Sequence, residues 1–156
     1  MPQWLRTAGI GIAKIQLSAG LRIPRVNREA LASLRPFAES TYSHQVVERR
    51  GVGADPVMKI RHRRSTMPAM RQEQAPKKRE WRVHFHVPLF LDRLGPFENT
   101  RPFLTRLLQL QFECAPTAHL EIETYTWGVL PEEYREMSVV DAVTREMQWV
   151  IGSLAQ

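Results

Sequence analysis

Cysteine is nearly absent from this 156-residue chain. Cys114 stands alone, which excludes an internal disulfide and any multi-cysteine zinc site. A lone thiol of this kind reads as a small buried side chain rather than a nucleophile. Long apolar runs are missing too: none approaches the roughly 18 residues of a membrane span. The opening residues, with Pro2, Trp4 and Arg6, lack the ordered regions of a secretory signal, so the expected location is the cytoplasm. Excess charge is missing from most of the chain. The formal +6 resides between Val57 and Glu80, where eight basic residues meet two acidic ones and no aromatic occurs; elsewhere fourteen basic residues balance fourteen acidic ones. A basic segment without aromatics offers no platform for stacking bases, and a neutral body offers no phosphate-binding surface, so nucleic acid is excluded as a partner.

What is present, at 43% hydrophobic residues, suits one globular domain over residues 1–156. The most informative stretch is Arg82-Val-His-Phe-His-Val-Pro88. In a strand, alternate side chains point to opposite faces, so His84 and His86 share one face and Val83, Phe85 and Val87 the other. His119-Leu-Glu-Ile-Glu-Thr-Tyr125 splits the same way, with Glu121, Glu123 and Tyr125 opposite Leu120, Ile122 and Thr124.

Along the chain, Gly11 to Ser18 alternates as a strand with Gln16 on its polar face. Asn27 can cap a short helix over Arg28–Leu34 that Pro36 stops or kinks. Thr41 to Val47 is a second strand, with His44 and Gln45 on opposite faces. Residues 55–80, interrupted by Pro56, Pro68 and Pro76, show neither period and read as a basic, exposed or disordered loop. Leu89 to Phe97 reads as a loop before a helix capped by Asn99 or Thr100, with Pro102 in its first turn and Leu104, Leu107 and Leu108 on its stripe. Ser138-Val-Val-Asp141 resembles a capping box opening a last amphipathic helix whose apolar positions include Val140, Val143, Met147 and Val150.

Strands that mostly precede helices predict an α/β fold with a parallel sheet. About four such units make half of an eight-stranded (β/α)8 TIM barrel, with Gln16, His44, His86 and Glu123 converging at the strand ends. Glu123 beside imidazoles suits a general base, and His84, Tyr125 and Trp127 are further candidates for lining the site. Glu121 is expected to pair with Arg82 on a neighbouring strand.

Four stretches carry a family resemblance: Lys14-Ile-Gln-Leu-Ser18, Tyr42-Ser-His-Gln-Val-Val-Glu-Arg49, Trp81 to Gly95, and His119 to Trp127. They resemble the EboE metabolite-traffic family, which has a xylose-isomerase-like barrel, over the C-terminal two-fifths or so of that family's length. The resemblance implies strands five to eight of the barrel, and the departures at the basic segment and at Phe112 to Thr117 imply a truncated or frameshifted copy. It also implies a divalent-metal site in which His86 and Glu123 supply two ligands. Gln16 and Thr41 stand where acidic ligands are expected, which predicts weak binding of manganese or magnesium. His44 falls where the wider group places a substrate-contacting histidine.

The function so implied is isomerase- or epimerase-like handling of a small polyol or sugar-like metabolite, with Glu123 and His86 as catalytic residues and Gln16, His44, His84, Tyr125 and Trp127 as substrate contacts. The alternative is a non-catalytic half-barrel acting as an interaction or structural piece. In either case an open half-barrel needs its missing N-terminal half or a second copy, so a homodimer is expected.

Overall fold

The longest strand, β5 (Arg79–Val87), turns the alternation of its sequence into two chemically distinct faces: Arg79, Trp81, Val83, Phe85 and Val87 are buried on one, while Arg82 and His84 are exposed on the other. The computed structural model of the chain describes residues 3–38, 45–50, 57–61, 79–114, 117–123 and 126–154. Around β5 lie β1 (Ile15–Leu17), β2 (Ala19–Ile23), β3 (Val46–Arg50), β4 (Val57–Arg61), β6 (Arg93–Leu94), β7 (Phe97–Asn99) and β8 (Leu120–Ile122). The helices are α1 (Gln3–Thr7), α2 (Arg28–Ser33), α3 (Arg101–Cys114) and α4 (Val139–Leu154).

These strands do not form a parallel half-barrel. Six of them make one sheet in the order β4-β3-β5-β2-β7-β6, and every neighbouring pair in it is antiparallel. Among the described residues only β1 and β8 pair in parallel, as a separate two-stranded ribbon. The reason lies in the connections. A parallel crossover takes a dozen or more residues and usually a helix, whereas Leu94-Gly95-Pro96-Phe97 reverses the chain in two residues to join β6 to β7. Gly95 has φ +57, the left-handed region that the first central position of such a hairpin turn demands, and a Cβ there would collide with the Tyr134 hydroxyl. Within the stretch expected to be a loop, Leu89 to Phe97, residues 89–92 are irregular, but Arg93–Leu94 is a strand and Phe97 begins the next. With the half-barrel goes the need for a missing half to complete it.

Residues 55–80 also differ from expectation. Val57–Arg61 is strand β4, paired along its length with β3, and β5 begins at Arg79; residues 62–78 lie outside the described residues. Local chemistry was read more accurately. Asn27 caps α2 by accepting from the Ala30 N–H at 2.7 Å. Asn99 accepts from the Arg101 N–H at the start of α3, and Ser138 accepts from the Asp141 N–H at the start of α4. On α4, however, the buried side chains are Ala142, Glu146 and Val150, while Val140 and Met147 are exposed. Among the described residues no helix is long and apolar enough to cross a membrane.

One hydrophobic cluster joins the buried sheet face to the helices, with Leu21, Phe85, Phe97, Leu104 and Leu108 at its centre. Phe37, at the end of the 3₁₀ turn after α2, meets Phe85 edge-on at 5.3 Å and Phe97 at 5.6 Å, and stacks on Tyr134 at 5.7 Å. A buried ion pair shares this face: Glu48 accepts from Trp81 Nε1 at 2.8 Å and from Arg79 Nη1 at 3.2 Å. On the opposite face, Arg22 of β2 bridges Glu80 of β5 and Glu98 of β7. Its hydrogen bonds hold the Glu80 carboxyl below the ordinary carboxylate range.

Candidate functional site

Polar groups converge where the end of β5 meets the chain after β8. The ladder between β2 and β5 slips there: Gly20 faces His86, but the next residue, Leu21, faces Val83, so β5 carries extra residues in a bulge. Glycine is required at that step because a Cβ on residue 20 would sit 2.9 Å from the Val83 carbonyl oxygen. Thr100 ties the same point to the start of α3, its Oγ1 accepting from the Gly20 N–H at 2.9 Å.

His84 and His86 project from the bulged segment side by side. Their rings lie 4.7 Å apart and the two Nε2 atoms are 2.7 Å apart. His84 is exposed and His86 is 3% exposed. Two fixed points hold the His86 backbone and surroundings: its carbonyl accepts from Thr126 Oγ1 at 2.8 Å, and its Nδ1 lies 3.8 Å from Glu123 Oε2. Glu123 follows β8 directly, and its N–H donates to the Leu17 carbonyl, which continues the β1–β8 ladder.

The second carboxylate of the site comes from α4. Glu146, 5% exposed, accepts from the Leu89 N–H at 3.0 Å. Arg145, one position earlier, lies over the Phe90 ring at 4.5 Å and docks the helix on the same turn. Burial pushes the Glu146 carboxyl from 4.5 up to about 6, against the opposing hydrogen bond from Leu89. His86, Pro88, Glu123, Thr126, Trp127 and Glu146 line one recess of about 10 Å³, room for a single water molecule.

Glu146 yields a pH-dependent expectation. A carboxyl whose affinity for protons rises on folding contributes stability that is complete below pH 4.5 and is lost as pH rises through about 6. Glu146→Gln keeps the oxygen that accepts from Leu89 and stays neutral. Thermal melts should show it more stable than the parent by about 1–2 kcal/mol at pH 8 and indistinguishable from it at pH 4. An equal gain at both values would mean that the carboxylate is not buried in solution.

The structure gathers some of the sequence-nominated residues and separates others. His86, Glu123 and Trp127 line the recess, and His84 touches it through His86. Gln16 is exposed and faces Glu121 in the β1–β8 ribbon, outside the recess. His44, Thr41 and Tyr125 lie outside the described residues. Glu121 pairs with Lys14, while Arg82 pairs with its own-strand neighbour Glu80. Glu146 was not nominated, although a carboxylate three residues after Val143 and four before Val150 is a charge set into an apolar helical stripe.

A divalent ion of the kind implied by the barrel resemblance does not fit. Among the described residues no group of three or more His, Cys, Asp or Glu side chains could hold a metal ion, and Gln16 is exposed, outside the recess that His86 and Glu123 line. Compared with protein-family models, with curated proteins and with solved structures, the chain gives no significant match to any of them.

Proposed function

We propose that the recess bounded by His86, Glu123 and Glu146 is a proton-transfer site for a small hydroxylated carbonyl compound, with isomerase- or epimerase-like chemistry. The observation that carries this reading is the Glu146 carboxyl, which changes protonation state near pH 6 in the same recess as an imidazole and a second carboxylate. Above that pH Glu146 is the base that takes a proton from the carbon next to the carbonyl. The resulting enediolate is reprotonated by Glu146, now the acid, either on the same carbon or, once the hydroxyl proton has moved to the former carbonyl oxygen, on the former carbonyl carbon. Glu123 and His86 hold the hydroxyl that enters the recess. Because the recess admits only a water-sized group, the remainder of the metabolite lies across its mouth beside Trp127.

The test is deuterium incorporation from heavy water at the carbon next to the carbonyl of small ketoses and aldoses, followed by proton NMR. The parent protein should catalyse incorporation, and Glu146→Gln should slow it by about 10²-fold or more, the usual contribution of a general acid–base group. No catalysed incorporation by the parent across three- to six-carbon sugars would remove the proposal.

A further inference from the structure

We propose that the cleft between α2 and the β6–β7 hairpin binds a small anionic amino acid, its carboxylates on Arg25 and Arg93 and its ammonium group on Glu29. This goes beyond the acid–base reading and concerns the opposite end of the sheet. His86, at the recess, is the partner of Gly20 near the start of β2, whereas the cleft opens at Ile23, where β2 ends. Its volume is about 410 Å³, against about 10 Å³ for the recess, and falls within the roughly 300–1,000 Å³ usual for small-molecule sites.

The local sequence makes this space. On one wall Ala30 and Ser33, three positions apart on α2 and so on one face of it, are small. The other wall is the hairpin, with Arg93 and Pro96, and buried Ile23 and Phe97 give the cleft an apolar lining between them.

Charge selects the ligand. Arg93 and Glu98 stand directly opposite each other in the hairpin, a register that ordinarily pairs them. Arg22, on the neighbouring strand, takes Glu98 instead, at 2.7 Å. Arg93 donates one N–H to the Pro96 carbonyl at 3.2 Å and meets no carboxylate among the described residues. Arg25 and Glu29 also line the cleft, and neither has an ion-pair partner among the described residues. Two guanidinium groups and one carboxylate are thus left without counter-charges around one cleft. Their complement is two carboxylates and one ammonium, the charge pattern of glutamate or aspartate. A guanidinium fork matches a carboxylate through two parallel N–H···O bonds, which suits arginine to this role better than lysine.

Isothermal calorimetry of the full chain at low salt, titrated separately with L-glutamate, L-aspartate, glutarate and inorganic phosphate, tests the proposal. One molecule of L-glutamate or L-aspartate should bind per chain, at least about tenfold more tightly than glutarate, which lacks the ammonium group. Arg25→Gln and Arg93→Gln should each weaken that binding by about tenfold or more. Glu29→Gln should bring L-glutamate down to the affinity of glutarate without weakening glutarate itself. All three side chains are exposed, so their replacement leaves the core intact, which circular dichroism can verify. No binding of either amino acid, equal binding in the arginine variants, or an L-glutamate affinity no greater than that of glutarate or phosphate would overturn the proposal. Calorimetry requires no turnover, and none of the three residues lines the recess, so this result and that of the deuterium experiment are independent.

Discussion

Glu48→Ala should destabilise the protein by about 3–5 kcal/mol, the usual result of removing one partner from a buried ion pair. Glu48 is 1% exposed and Arg79 4%. The carboxylate faces Trp81 across the β3–β5 ladder and accepts from both the Arg79 guanidinium and the Trp81 indole. Without it, Arg79 keeps its charge in a place where water cannot replace that carboxylate, and the indole N–H loses its acceptor. Glu48→Gln should cost less, because the amide oxygen can still accept from Trp81. Replacing Glu48 and Arg79 together by Leu and Met should cost least, since no uncompensated charge remains. Urea unfolding should show a lower midpoint at unchanged slope for Glu48→Ala. A loss below about 1 kcal/mol would mean that the pair is hydrated in solution.

A loss of similar size, about 3–5 kcal/mol, is expected for Phe85→Ala. Phe85 is fully buried, and its ring is the edge-on partner of Phe37, the residue that brings the turn after α2 onto the sheet. Truncation opens a cavity in a close-packed core that relaxes only partially to fill it. Phe85→Leu, which retains most of the volume, should cost distinctly less. Denaturant melts of the two variants would check the ranking; equal losses would point to backbone disruption at the bulge rather than to the cavity.

Much of the local structure was legible in the sequence, and the path of the chain between elements was not. The alternation at Val83, Phe85 and Val87 placed β5 and its two faces correctly because period two is set by the strand itself. Asn27 and Ser138 marked helix starts for an equally local reason, a side-chain oxygen within reach of an unsatisfied N–H. Strand direction depends instead on which partner the sheet chooses. Strands β6 and β7, at two and three residues, are too short to show any period, so in the sequence the Gly95-Pro96 reversal is indistinguishable from part of a loop. β2 was hidden because it follows β1 after a single residue, with Gly20 and Arg22 alternating against Ala19, Leu21 and Ile23. At the recess, β5 alternation is what places His84 and His86 on one side of the strand. Gln16 was misplaced because its polar face was assigned to a barrel interior that this sheet does not contain. Glu146 is hard to see in the sequence because a single carboxylate within an amphipathic helix looks like any residue of its solvated face.

The pairing of β1 with β8 also sets a schedule. Ile15 meets Leu120 in that ribbon, and Thr117 donates to the carbonyl of Ala13. A ribosome adds about 5–20 residues per second, so β1 leaves it about 5–20 s before β8, its partner strand among the described residues, has been made. Throughout that interval Leu17, which is buried in the finished protein, has no ribbon to enter. Strand β1 is thus born unpaired in this ribbon, and the ribbon closes only when residues 120–122 have been added.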